Sequence, residues 1–331
     1  MEVYVQSLLN IGITIVLLLQ SLGPWLLEPM KFFSFLGTVE FYIFVASAIL
    51  WCYDTSVGTR TGLYLMISGG INSIFKIIFH QPRPYWYDTR VHALSTESSF
   101  GAPSGHAQNA VVVWGSLAYS LRHGWAWIVA ILLMFFISLS RIYLGVHFPF
   151  DILVGWLIGI LLLLVLVKLE QPIKEWLNNH SLSMQLLAAF ITSMVVLLLG
   201  ILVRLSLGSW TVPSLWITNA AIASPGAEPI HPLDFTDLVS STGAFFGLAA
   251  GAILLTLQGG FNARGIWWKR IIRYLIGIAG VLILWGGLGR IFPQNETLIA
   301  HSLNYLRFTL VGIWISALAP WLFVKSGLSS R

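Results

Sequence analysis

Three short groups of residues in the first half of the chain have the types and spacing of a phosphoryl-transfer site. Their charged or titratable members are, in order, Lys76, Arg83, His106, Arg141, His147 and Asp151. A phosphoryl group in transfer spreads negative charge over three oxygens, and one lysine with two arginines supplies enough positive charge to neutralise them. Arginine can hold two oxygens at once, whereas lysine acts as a point charge.

The two histidines can divide the remaining chemistry. One group must attack phosphorus while another gives a proton to the departing alkoxide, and a neutral imidazole can attack without prior activation. His147 precedes Asp151 by four residues, so on a helical turn the carboxylate lies where it can accept the other ring N–H and fix the tautomer. This spacing favours His147 as nucleophile and His106 as acid. The alternative for Asp151 is an ordinary acidic residue at a helix start.

The three groups match, in order and spacing, the signature motifs of the type 2 phosphatidic-acid phosphatase superfamily, which the chain resembles over roughly its first half. The resemblance implies that His147 forms a phosphohistidine, that His106 protonates the leaving group, and that Asp151 orients His147. It also implies that no metal or other cofactor takes part. The residues that it assigns to the phosphate are Lys76, Arg83, Ser104, Gly105 and Arg141.

Composition indicates an integral membrane protein. Of the 331 residues, 57% are hydrophobic and only 9% are charged, whereas a soluble domain carries about a quarter charged residues. The net charge of +5 is not gathered into a Lys/Arg-rich run with interleaved aromatics, so we expect no nucleic-acid partner. Cys52 is the single cysteine, which excludes an intrachain disulfide and a cysteine-based metal site.

Ten segments are apolar enough to be candidates for membrane spans, each of which needs ~20 residues. They cover residues 8–27, 33–52, 62–79, 105–121, 125–139, 151–169, 186–205, 238–257, 271–288 and 306–324. The predicted fold is an all-α transmembrane helix bundle. A charged stretch at 170–175 divides it into a six-helix catalytic core, residues 1–170, and about four accessory helices in residues 171–331.

The motifs fall at the predicted helix ends. Lys76 lies in the last turn of the third segment, Ser104 is a natural N-cap for the fourth, and Asp151 opens the sixth. The N-cap would direct backbone N–H groups and the positive helix end at a phosphate. Because successive spans alternate in direction, all three motifs are predicted on one side of the membrane.

The distribution of basic residues predicts which side that is. If all ten segments cross, ten basic residues lie on the side of both termini and eight on the other, and three of those eight are assigned to phosphate. The positive-inside rule then favours cytoplasmic termini and an extracytoplasmic site. The count depends on the first segment, which Gln20, Gly23 and Pro24 interrupt.

The leading functional interpretation is a membrane phosphatase acting on a lipid phosphate or an isoprenoid diphosphate, because a substrate tail can stay in the bilayer beside such a site. One alternative is a phosphotransferase that passes the same phosphohistidine to an alcohol. Another is a hydrolase of a soluble ester, since residues 83–86 resemble the corresponding stretch of glucose-6-phosphatases. A transporter or scaffold is the non-enzymatic alternative.

Three further features leave alternatives open. Arg90, His92 and Glu97, between the first two motifs, either shape the head-group pocket or are solvated. The loop 208–233 is either a connector or a cap on the site. Glycines at 243, 247 and 251 form a small-residue face, for which packing within the chain is favoured over a homodimer interface.

Overall fold

The structure is a computed structural model that describes residues 2–293 and 295–330, with side chains from residue 6 onward. Arg331, one of the ten basic residues counted above, lies outside the described residues. Helices account for 76% of the chain, and the described part contains no strand. The prediction of an all-α fold is confirmed.

The helices follow one another along the chain with short connections. They are α1 Glu2–Gln20, α2 Leu27–Phe35, α3 Val39–Cys52, α4 Thr55–Phe79, α5 Pro84–Tyr87, α6 Gly105–Leu121, α7 Gly124–Tyr143, α8 Pro149–Asn178, α9 Leu182–Ser206, α10 Ser214–Ala223, α11 Thr236–Leu257, α12 Trp267–Leu282, α13 Leu288–Ile291, α14 Leu298–Ile313 and α15 Ala319–Lys325. A π-helical turn, Ile283–Gly287, joins α12 to α13, and another, Trp314–Leu318, joins α14 to α15.

The number of helices that can span a membrane is smaller than ten. In the described part, seven are long and apolar enough, or eight if the bent pair Gln6–Gln20 and Pro24–Phe35 forms one span. The predicted interruption of the segment 8–27 is confirmed, because the two halves of this pair meet at 89° where Gly23 adopts a positive φ before Pro24. The helix α3 has only 14 residues, a length of about 21 Å, because the predicted segment 33–52 breaks between α2 and α3.

The sixth predicted segment does not end before the charged stretch 170–175. The helix α8 continues through Pro172 to Asn178. Glu170 accepts a hydrogen bond from Lys174 at 2.7 Å and another from Arg60 at 3.0 Å. The pair of Glu170 and Lys174 is one helical turn apart and spans Pro172, so it supports the helix locally across the proline.

The chain forms two compact units whose segments alternate along the sequence. One unit contains Met1–Thr38, Asn72–Leu163 and Gly200–Asp234, and the other contains Val39–Ile71, Leu164–Leu199 and Phe235–Arg331. All eight predicted site residues belong to the first unit. The predicted functional division at residue 170 stays a prediction.

Within the first unit, the loop that carries Arg83 and the loop that carries His147 share one hydrophobic core with α1. Its fully buried members include Val16, Trp86, Phe100 and Val146. Gln20, near the end of α1, connects the loops by donating to His92 O at 2.8 Å and to Tyr143 O at 3.0 Å. Apolar burial and these hydrogen bonds therefore hold in place the loops that carry Arg83 and His147.

In the second unit the glycine face of α11 packs on α14. A Cβ atom on Gly243 would lie 2.5 Å from Tyr305 O, so only glycine permits this approach. Thr309 adds a hydrogen bond to Gly243 O at 3.1 Å. The prediction that this face serves packing within the chain is confirmed, since close approach of backbones is what small residues permit.

Candidate active site

The motif residues lie at the helix ends where the sequence predicts them. Lys76 is in the last turn of α4, Arg141 in the last turn of α7, and Asp151 in the first turn of α8. Ser104 is the N-cap of α6, and its Oγ accepts a hydrogen bond from Ala107 N at 3.4 Å. Local capping signals therefore suffice to position these residues on their helices.

His147 is held at both ring nitrogens. Its Nδ1 lies 3.2 Å from Asp151 Oδ2, and its Nε2 lies 3.3 Å from a terminal nitrogen of Arg83. Because a guanidinium only donates hydrogen bonds, the partners assign Nε2 as the acceptor and Nδ1 as the protonated nitrogen. Asp151 is held in turn by Phe148 N at 2.9 Å.

The surroundings of His147 keep its imidazole neutral. The residue is only 1% exposed. Burial and then the charges of Arg83 and Arg141 hold the pKa of His147 well below its ordinary value. At neutral pH the ring therefore has a lone pair on Nε2, which is the form that can attack phosphorus.

Arg83 is fully buried and ties the two loops together. It donates to Ser99 O at 2.6 Å, to Val146 O at 2.9 Å and to Phe100 O at 3.1 Å. Its guanidinium also lies 5.8 Å from the centroid of the Trp86 ring. These contacts fix the arginine in one orientation, with the nitrogen that reaches His147 pointing into the site.

The other two cations are held by residues that the motifs do not include. Lys76 donates to Ser99 Oγ at 2.6 Å, and Arg83 donates to the same oxygen at 3.2 Å. Arg141 donates to Ser34 Oγ at 2.6 Å and pairs with Glu97. Nothing in the sequence indicated Ser34 or Ser99, and Glu97 was left open between a pocket residue and a solvated one.

The second motif joins the third through the main chain. Ser104 N donates to Asp151 O at 3.0 Å, which brings the start of α6 beside the start of α8. Gly105 and His106 follow in the first turn of α6. The Nε2 atom of His106 is buried without a hydrogen-bond partner among the described residues.

The segment predicted as a connector or a cap contains α10. Asn219 of α10 donates to Trp86 O at 2.9 Å, and the rings of Trp210 and Phe100 lie 5.8 Å apart. Both Trp86 and Phe100 contact Arg83, so the segment packs behind the arginine. A role as a cap over the head group stays a prediction.

Hydrogen bonds and ion pairs, partly through Ser99 and Glu97, link six of the eight predicted residues, and Gly105 and His106 follow Ser104 along the chain. The catalytic roles of all eight stay predictions. No group of three or more His, Cys, Asp or Glu side chains in the described part of the chain is arranged to hold a metal ion. The positive charge around His147 comes from three side chains, which are Lys76, Arg83 and Arg141.

Sequence comparisons agree with this geometry. The profile of the PAP2 superfamily matches residues 58–175, which include every predicted site residue, and the profile described as "PAP2 superfamily phosphatase, transmembrane extension" matches residues 239–331. Phosphatidylglycerophosphatase B of Bacillus subtilis is 32% identical over 169 residues, covering 46% of this chain and 79% of that protein. Undecaprenyl-diphosphatase of Sulfolobus acidocaldarius is 30% identical over 151 residues, covering 44% and 72%.

A longer similarity extends to a different substrate class. Glucose-6-phosphatase 2 of Homo sapiens is 24% identical over 341 residues, covering 91% of this chain and 93% of that protein. The helices and matches together define a multi-pass membrane protein of a phosphatase family. The chain belongs to the PAP2 superfamily, and the resemblance of its three motifs is confirmed.

Proposed function

We propose that this protein hydrolyses a phosphate ester through a phosphohistidine on His147. Nε2 of His147 attacks phosphorus, the ester P–O bond breaks, and the departing alkoxide takes a proton from His106. Water then attacks the phosphohistidine, His106 takes a proton from that water, and inorganic phosphate leaves. A bound phosphate dianion beside His106 favours the protonated imidazole that the first step needs.

The observation that carries this proposal is the position of His147 between Asp151 and Arg83. The carboxylate 3.2 Å from Nδ1 orients the ring and stabilises the positive charge that develops when Nε2 forms a bond to phosphorus. The arginine nitrogen 3.3 Å from Nε2 lies close enough to donate a hydrogen bond to an oxygen of the phosphoryl group under attack. Lys76 and Arg141 supply the remaining positive charge.

For the substrate we propose a lipid phosphate or an isoprenoid diphosphate. Lys76, Arg141 and Asp151 each lie within one turn of the end of an apolar helix, which suits a site at the membrane–water boundary. A tail that stays in the bilayer keeps the head group within reach of such a site. The similarity to a phosphatidylglycerophosphatase and an undecaprenyl-diphosphatase supports this class.

A soluble phosphate ester is the second candidate, and one observation favours it. The similarity to glucose-6-phosphatase 2 extends over 91% of the chain, whereas the similarity to the two phosphatases of lipid substrates covers less than half of it.

A substrate panel in detergent tests these proposals. The panel contains phosphatidate, phosphatidylglycerophosphate, undecaprenyl diphosphate, a sphingoid phosphate and glucose 6-phosphate, and phosphate release is measured for each. We expect release from a lipid substrate, none with His147→Ala, and wild-type rates with His123→Ala, an exposed histidine of the same unit. A large preference for glucose 6-phosphate would establish the second candidate, and dependence on an added alcohol acceptor would indicate a phosphotransferase.

We propose further that the site faces the extracytoplasmic side, with cytoplasmic termini. The ground for this orientation is the basic-residue count, which assumes that all ten predicted segments cross the membrane. Because seven or eight helices of the described part are long and apolar enough to do so, a labelling experiment decides the orientation. A single cysteine introduced at the exposed Ser98, in a chain with Cys52→Ser, can be labelled with a membrane-impermeant reagent. We expect labelling of intact cells, and labelling only after permeabilisation would reverse the orientation.

A further inference from the structure

The carboxylate of Glu97 occupies the two arginines that are proposed to bind phosphate. It pairs directly with Arg141, and its second oxygen lies 3.8 Å from a terminal nitrogen of Arg83. The arginine side chains are 3% and 0% exposed, whereas that of Glu97 is 28% exposed. An incoming anion therefore meets a carboxylate already placed on the charges that it needs.

This carboxylate is ionised at neutral pH. Burial opposes its charge, but Arg141 and then Arg83 outweigh the burial and hold the pKa of Glu97 well below its usual range. His106 and Lys76 also act on it in the same direction, which places Glu97 among the catalytic and binding groups. Glu97 thus carries a negative charge inside the candidate phosphate site at neutral pH.

The main chain of Glu97 is anchored, but its side chain reaches the arginines across rotatable bonds. The hydroxyl of Tyr85 donates to Glu97 O at 2.9 Å and accepts from Glu97 N at 3.0 Å. Tyr85 itself is 2% exposed. A change of side-chain torsions alone can therefore move the carboxylate away without moving the loop.

A phosphoryl group needs the same N–H donors. One terminal nitrogen of Arg141 donates to Ser34 Oγ at 2.6 Å, and the other is on Glu97. A side-on two-point contact between Arg141 and phosphoryl oxygens would use Nε, which has no hydrogen-bond partner among the described residues, and the terminal nitrogen that faces Glu97. A phosphoryl oxygen that takes the N–H now accepted by Glu97 must displace the carboxylate, and two anions left side by side at one guanidinium repel each other.

We propose, on the basis of the function proposed above, that Glu97 is an internal anion that exchanges with the phosphoryl group. It holds the arginines when the site is empty, leaves them when an ester binds, and returns to displace inorganic phosphate. An ester has a head group and a tail whose contacts offset the displacement, and inorganic phosphate has neither. Glu97 therefore makes the site selective for the ester over the product.

The opposite role would be that of a positioning residue that holds Arg141 in place for the phosphate. The two roles predict opposite signs for the same variant. If Glu97 positions Arg141, its loss weakens binding of every anion. If Glu97 competes with the phosphoryl group, its loss strengthens binding of inorganic phosphate.

The test uses the purified full chain in detergent with Glu97→Gln. Binding of inorganic phosphate and of orthovanadate is measured by titration calorimetry, and product inhibition is measured on the best substrate of the panel. We expect the Kd for phosphate to fall about ten-fold or more, because the amide removes the competing charge but keeps the shape. Glu28→Gln, an exposed glutamate of the same unit whose ion-pair partner is the exposed Lys31, should leave the Kd unchanged.

A second variant keeps the test possible if Glu97→Gln folds poorly. Glu97→Asp keeps the charge but shortens the reach to both arginines, so we expect a smaller tightening than with glutamine. Unchanged or weaker phosphate binding in both variants overturns the exchange. A wild-type chain that hydrolyses the panel while both variants fail to tighten refutes only this inference. A wild-type chain without hydrolysis, whose variants bind phosphate more tightly, refutes the hydrolase and supports the exchange.

Discussion

The terminal nitrogen of Arg83 that lies 3.3 Å from Nε2 of His147 donates to the lone pair that attacks phosphorus in the proposed mechanism. In the empty site this contact satisfies the buried imidazole. When a phosphoryl oxygen arrives, the same N–H can turn to that oxygen and release the lone pair. In the proposed mechanism, substrate binding therefore activates His147, because the Arg83 N–H leaves the imidazole nitrogen for the phosphoryl oxygen.

The two histidines should differ in the step that they affect. We expect no trapped phosphoenzyme with His147→Ala, because the nucleophile is gone. His106→Ala should still form phosphoenzyme from an activated aryl phosphate, whose leaving group needs no proton. Rapid-quench trapping measures both. If His106→Ala blocked phosphoenzyme formation while His147→Ala did not, the assigned roles would be reversed.

Phosphoenzyme formation should persist into mildly acidic solution. The pKa of His147 is held well below its ordinary value near 6.5, so protonation removes the lone pair only at pH values well below 6.5. The single-turnover rate on an activated aryl phosphate should therefore stay flat as pH falls from 7.5 through 6.5. A half-loss of this rate close to pH 6.5 would contradict the lowered pKa.

Activity should survive exhaustive chelation and be inhibited by vanadate. Lys76, Arg83 and Arg141 supply the positive charge that a metal ion supplies in other phosphatases, and vanadate can mimic five-coordinate phosphorus. Phosphate release after dialysis against a chelator is the measurement. Loss of activity that one specific divalent ion restores would show this prediction to be wrong.

Ser99 should be a positioning residue for two cations. Its hydroxyl accepts from Lys76 at 2.6 Å and from Arg83 at 3.2 Å, so Ser99→Ala leaves donors on both without that acceptor. Hydrogen bonds to charged groups contribute about 1.5–3 kcal/mol, from which we expect phosphate affinity to fall about ten-fold or more. Ser98→Ala, at the exposed neighbouring position, is the matched control. Equal phosphate affinities of the Ser99→Ala and Ser98→Ala variants would show that Ser99 does not position the cations.

The helix ends that carry the motifs could be predicted because their signals are local. Ser104 caps α6 through a contact only three residues away, and the pairing of His147 with Asp151 spans four residues. Such short-range interactions depend little on the rest of the chain. The sequence by itself therefore determined the family, the membrane class and the residues at the centre of the site.

Only the tertiary structure decided which residues surround that centre. Ser34 meets Arg141 across 107 positions of sequence, and Asn219 meets Trp86 across 133. Glu97 looks like an ordinary loop glutamate until the fold places it between two buried arginines. Contacts of this kind depend on how the helices pack, and no local pattern of polarity, capping or periodicity records which distant loop a packed helix end will face.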